Sequence, residues 1–68
     1  MNSIVNTKVL IRMINGREYE FTFTGSPQEA ENYISREIEM HGCYSTYWLG
    51  GQVSIYATGI ECILYKAI

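Results

Sequence analysis

Two cysteines and one histidine are the side chains in this sequence best suited to metal binding or nucleophilic chemistry. His41 and Cys43 form a His-x-Cys pair, and Cys62 lies far along the chain. A structural zinc site needs four ligands and commonly contains a Cys-x-x-Cys pair, and this spacing and a fourth ligand are both missing. A Cys/His nucleophile pair needs an orienting group, and the chain contains no Asp. The sequence therefore predicts no metal site, no cofactor and no catalytic residues, with Cys62 in the core and His41 capping a helix end.

The acidic residues are all Glu, and they could suggest acid–base catalysis or mimicry of nucleic-acid charge. Paired catalytic carboxylates need burial that separates their pKa values. Strand alternation at Glu18 and Glu20, and helical spacing of the later glutamates, put most of these side chains in water. We therefore expect a solvated acidic surface, and a net charge of −2 limits charge mimicry as an alternative.

Length and composition predict one globular domain over residues 1–68, of a size at which self-association would add useful buried area. A chain with a net charge of −2 lacks the basic balance that drives phosphate binding, so direct nucleic-acid binding is disfavoured. The sequence predicts neither a secretory signal nor a membrane span, and we expect a cytoplasmic protein with reduced thiols.

The helix that would carry His41 and the later glutamates has a clear start and end. Ser26 has the properties of an N-cap, Pro27 of a first helical residue, and Glu29 of the position that reaches back to the cap. Gly42 suits the left-handed turn that follows a helix, so the pattern predicts a helix from Pro27 to about His41. Its apolar seam is formed by Ala30, Ile34 and Ile38.

Two alternating apolar runs around Ile14-Asn15-Gly16 predict a β-hairpin. A three-residue loop with Gly16 in the left-handed region would bury one apolar face and pair Arg12 with Glu18 on the other. A two-residue loop would mix charge into the apolar face, so we expect the three-residue loop.

Three further strands are expected after Gly42, joined by two-residue turns at Gly50-Gly51 and Thr58-Gly59. The fold class is then α+β: an antiparallel sheet of about five strands with one helix packed on one face, in the order ββαβββ. In these registers the helix side holds the residues Tyr44, Thr46, Trp48, Val53, Ile55, Ala57, Ile60, Cys62 and Leu64.

The reverse face of that sheet is the predicted functional surface. One helix covers only one side, so apolar and aromatic residues on the other side would lie open. The residues expected there as an interface are Tyr47, Tyr56, Tyr65, Ile63 and Leu10. Tyrosine is enriched at protein interfaces, although exposed Tyr is also simply a good strand former. Base stacking is a rival use of such a face, but few Lys or Arg flank it.

The run Lys8 to Phe21, followed by a capped helix and a short aromatic sheet, resembles the layout of many short proteins of bacteriophages and mobile elements. Some proteins of that kind are inhibitors that bind host or defence enzymes. The resemblance implies a non-enzymatic protein-binding module that acts by surface occlusion, with a second copy or a host or defence protein as its partner. The alternative is an oligomeric small-ligand or nucleotide binder with a pocket between subunits.

Overall fold

The structure is a computed structural model, and it describes residues 5–68. Its elements are β1 (Asn6–Met13), β2 (Glu18–Thr24), α1 (Pro27–His41), β3 (Cys43–Trp48), β4 (Gly51–Tyr56), a 3₁₀ turn (Ala57–Gly59) and β5 (Ile60–Ala67). The expected α+β class and the ββαβββ order are confirmed. No helix among these residues is long and apolar enough to cross a membrane.

The five strands lie in two antiparallel groups. One is a three-stranded sheet in the order β2-β1-β5, and the other is the β3-β4 hairpin. The core lies between the inner faces of the sheet, the hairpin and the helix. Its buried side chains are Val9, Ile11, Tyr19, Ala30, Ile34, Tyr44 and Ile55.

The first hairpin has the predicted register. Arg12 pairs with Glu18 and Lys8 with Thr22, and Gly16 has a φ of 91° in the loop between the strands. Only a residue without a Cβ adopts that angle at little cost. The apolar face therefore points inward, with Val9, Ile11 and Tyr19 buried.

The helix also begins and ends where the sequence predicts. The Ser26 side chain accepts a hydrogen bond from the Glu29 amide at 3.1 Å, and the Glu29 carboxylate accepts one from the Ser26 amide at 3.0 Å. The bond from the Ser26 amide lowers the pKa of Glu29 below its ordinary value, because it stabilises the ionised carboxylate. Gly42 ends the helix with a φ of 74°.

The prediction that β4 and β5 form a hairpin is wrong, because β5 pairs with β1. Thr58 and Gly59 belong to the 3₁₀ turn, which carries the chain away from β4. The carbonyl of Gly59 accepts a hydrogen bond from the Ile14 amide at 2.9 Å, which fixes the start of β5 beside the first hairpin. Pairing on both sides makes β1 the central strand, and Thr7, Val9 and Ile11 are fully buried there.

This pairing reverses the predicted faces of β5. Ile63 lies opposite Ile11 and Tyr65 opposite Val9, so both side chains point toward the core and pack against it. Leu64 and Cys62, which were expected on the helix side, lie opposite Leu10 and Arg12 on the outward face. The two sets exchange places because side chains alternate along a strand, and the expected partner strand was the wrong one.

The β3-β4 hairpin keeps its predicted inner face but turns one residue earlier. Tyr44 pairs with Ile55 and Thr46 with Val53, so the turn residues are Leu49 and Gly50 and not Gly50 and Gly51. Both turn residues have positive φ angles, 51° and 80°. That combination is typical of the type I′ turn, whose twist matches that of the flanking strands.

The capping box predicts a measurable contribution of Ser26 to stability. Ser26→Ala should lower the free energy of unfolding by about 1 kcal/mol, because it removes the acceptor of the Glu29 amide. Urea denaturation followed by circular dichroism measures this change, with Ser35→Ala at an exposed position inside the helix as the control. A midpoint unchanged by Ser26→Ala would contradict the assigned helix start.

Candidate functional site

The outward face of the β3-β4 hairpin carries two of the predicted interface residues. It is formed by alternate residues of the two strands, and we call it the tyrosine face: Cys43, Ser45, Tyr47, Gln52, Ser54 and Tyr56. Tyr47 is 79% exposed and Tyr56 is 62% exposed. Tyr47 lies opposite Gln52 and Tyr56 opposite Cys43, so the two rings stand at opposite ends of the face, about 13 Å apart along the strands. Between them the hydroxyls of Ser45 and Ser54 are hydrogen-bonded at 3.0 Å.

Aromatic side chains on the opposite face of the same hairpin hold it against the sheet. Trp48 meets Tyr19 edge-on, with ring centroids 4.9 Å apart. Tyr44 stacks on Phe21 at 5.6 Å. Such pairs add about 0.5–1.5 kcal/mol each beyond the area that they bury. The tyrosine face therefore stands on a packed support.

Leu49 extends the exposed apolar surface to the tip of the hairpin. Its side chain is 85% exposed, and its φ of 51° lies in a region that a branched residue adopts only at a cost. The sequence pattern did not indicate Leu49, because the neighbouring glycines suggested a turn one residue later. An exposed, strained Leu at the tip of a hairpin is a candidate contact residue.

The outward face of the three-stranded sheet has a different character. Leu10 is half-buried there beside Leu64, and charged residues surround the pair. Arg12 and Glu18 form an ion pair at 2.9 Å, and Lys8 and Glu20 form one at 3.7 Å. The hydrogen bond to Glu18 raises the pKa of Arg12. Leu10 therefore lies on a mixed polar surface separate from the tyrosine face.

Ile63 and Tyr65 do not join either outward face. Both are half-buried on the core side of β5, and burial raises the pKa of Tyr65, because the phenolate would lose its hydration. Of the five predicted interface residues, the structure thus brings only Tyr47 and Tyr56 onto one surface.

The residues considered for metal binding or catalysis lie on separate elements. His41 is exposed at the end of α1, Cys43 is half-buried at the start of β3, and Cys62 is half-buried beside Arg12 on the outward face of the sheet. Cys62 is therefore not in the core as expected. No group of three or more His, Cys, Asp or Glu residues able to hold a metal occurs within residues 5–68.

Comparisons of the chain with models of protein families, with curated proteins and with solved structures gave no match.

Tyr56 and Tyr65 form a matched pair for testing the assignment of faces. Tyr56→Glu should change the free energy of unfolding by no more than about 0.5 kcal/mol, because its side chain is largely in water. Tyr65→Glu should cost at least about 2 kcal/mol, because it places a carboxylate against the core. Chemical denaturation of both variants measures the difference. Equal stabilities would contradict the inward placement of Tyr65.

The strained turn predicts a stabilising substitution. Leu49→Asn creates the Asn-Gly pair that type I′ turns favour, and it should raise the free energy of unfolding by about 0.5–1 kcal/mol. A higher urea midpoint at unchanged slope would show this effect. Gly50→Ala is the control, and it should destabilise the protein because Gly50 has a φ of 80°. A loss of stability in Leu49→Asn would mean that Leu49 packs more favourably than its exposure indicates.

Proposed function

We propose that the protein is a non-enzymatic protein-binding module whose tyrosine face, extended by Leu49, occludes a surface of its partner. The observation that carries the proposal is the large exposure of Tyr47, Tyr56 and Leu49 on one uncharged hairpin. Exposed aromatic residues on a rigid support are typical interface anchors, because they bury a large area at a low entropic cost.

The support beneath the face strengthens the proposal. Trp48 and Tyr44 are already packed against β2, so the strands that carry Tyr47 and Tyr56 need little ordering when a partner binds. Binding by a preorganised surface avoids much of the entropy loss that weakens flexible binders. The partner we propose is a larger host or defence enzyme, because the layout of the chain resembles that of short phage and mobile-element proteins, some of which are inhibitors.

The test compares variants of the tyrosine face with a variant of the other outward face. The immobilised protein is exposed to a bacterial lysate, and the retained proteins are quantified by mass spectrometry. The variant Tyr47→Ser/Tyr56→Ser should weaken capture of the retained partner at least tenfold, because it removes both aromatic anchors. Leu64→Ser is the control, since Leu64 is 53% exposed on the three-stranded sheet. Loss of capture in Leu64→Ser, with retention in the double variant, would contradict the proposal.

A titration of the captured partner separates occlusion from catalysis. If the partner is an enzyme, its activity should fall in proportion to the amount of protein added and should recover when the two are separated. Complete inactivation by a small fraction of an equivalent would contradict occlusion, because only a catalyst acts on many partner molecules in turn.

A further inference from the structure

We infer that β4 pairs edge to edge with β4 of a second copy, in antiparallel orientation, so that two hairpins form one four-stranded sheet. This pairing deepens the proposed function, because it names a second copy of the chain as one partner of the hairpin. It rests on the proposed function only in the claim that the enlarged tyrosine face binds a further protein. Within residues 5–68, β2, β3, β4 and β5 each have one edge that pairs with no other strand.

The backbone groups on the outer edge of β4 follow from the observed ladder. The Ala57 amide donates to the Gly42 carbonyl at 3.0 Å, in register with the β3-β4 pairing. Antiparallel pairs alternate between bonded and non-bonded positions, so Tyr44 with Ile55 and Thr46 with Val53 are the bonded pairs. The N–H and C=O groups of Gln52, Ser54 and Tyr56 therefore point away from β3.

Charge distinguishes this edge from those of the three-stranded sheet. Proteins commonly protect exposed edges with charged side chains or proline. The β2 edge carries Glu18 and Glu20, and β5 carries Glu61 and Lys66. Residues 42–60 contain no charged side chain, no His and no Pro. The hairpin thus lacks the usual protection against strand pairing.

Its position in the fold favours β4 over β3. Helix α1 leads directly into β3 through Gly42 and packs against that strand. The helix makes no comparable contact with β4, and no strand within residues 5–68 pairs with the outer edge of β4. A two-fold axis at Ser54 then aligns the unpaired backbone groups of both copies.

Each pair made across this axis is chemically compatible. Ser54 faces Ser54 of the second copy, Gln52 faces Tyr56, and Val53 faces Ile55. No like charges meet, and the half-buried Val53 gains an apolar neighbour. A symmetric edge with uncharged side chains and self-complementary pairs fits a second copy of the chain better than a strand of unrelated sequence.

The pairing would also complete the tyrosine face. Tyr47 lies opposite Gln52 in one copy, and Gln52 would lie opposite Tyr56 of the other. Tyr47 of one copy and Tyr56 of the other would then lie in one row across the four strands, about 10 Å apart, and the symmetric row would contain the other two tyrosines. Four exposed rings would surround the central serines, and the face offered to a partner would double in size.

Ser54→Lys tests the edge, and Ser45→Lys is a matched control. Both substitutions remove the hydrogen bond between the two serines and add one charge to the same exposed face, but only Ser54 lies on β4, the strand that would pair with the second copy. Sedimentation velocity and native mass spectrometry should show a dimer for the wild type and for Ser45→Lys. Ser54→Lys should weaken the dimer about tenfold or more, because two lysines would face each other across the axis. A monomeric wild type, a larger assembly, or equal effects of the two variants would overturn the inference.

A cross-link tests the register even if Ser54→Lys fails to fold. In a Cys43→Ser/Cys62→Ser background, Ser54→Cys should form a covalent dimer with dibromobimane, which bridges only closely spaced thiols, because bonded antiparallel pairs have Cα atoms about 5.5 Å apart. Ser45→Cys should remain unlinked. Equal linking of both variants would overturn the pairing. A Ser54→Cys variant that links to a foreign protein and forms no dimer would also overturn it. If the protein forms the predicted dimer but the variant Tyr47→Ser/Tyr56→Ser still captures the partner normally, the proposed function is wrong and the strand pairing stands.

Discussion

The pairing of β5 with β1 is the constraint on which the rest of the structure depends. It gives β1 a neighbour on each side, so that its backbone groups are satisfied where Thr7, Val9 and Ile11 are fully buried. It also commits Ile63 and Tyr65 to the core. With β5 placed there, β4 keeps only β3 as a neighbour, and the hairpin becomes a separate element that covers the core beside the helix.

The hairpin is held in that position by aromatic packing and not by backbone pairing to the sheet. Its inner rings, Tyr44 and Trp48, contact Phe21 and Tyr19 of β2. The same alternation that turns these rings inward turns Tyr47 and Tyr56 into solvent. The exposed face and the unpaired β4 edge are therefore both consequences of the way in which the core is closed.

The features predicted correctly from sequence are local. The helix depends on the Ser26 cap and on Gly42, and the first hairpin on Gly16, so each is determined by residues that are close in the chain. The pairing of β5 is not local. Its outcome depends on how much apolar surface is buried against β1, which cannot be deduced from the turn residues Thr58 and Gly59. One wrong partner strand was enough to exchange the two faces of β5 and to move Ile63 and Tyr65 out of the candidate site.

Nuclear magnetic resonance of the wild-type protein tests the central pairing most directly. Non-bonded antiparallel pairs bring their Hα atoms close together, and the hydrogen bond from the Ile68 amide to the Asn6 carbonyl places Val9 with Tyr65 among such pairs. The structure predicts strong Hα–Hα contacts between Val9 and Tyr65 and between Ile11 and Ile63. Contacts between β4 and β5, such as Ile55 with Cys62, would instead show a continuous second hairpin and contradict this account of the fold and of its exposed face.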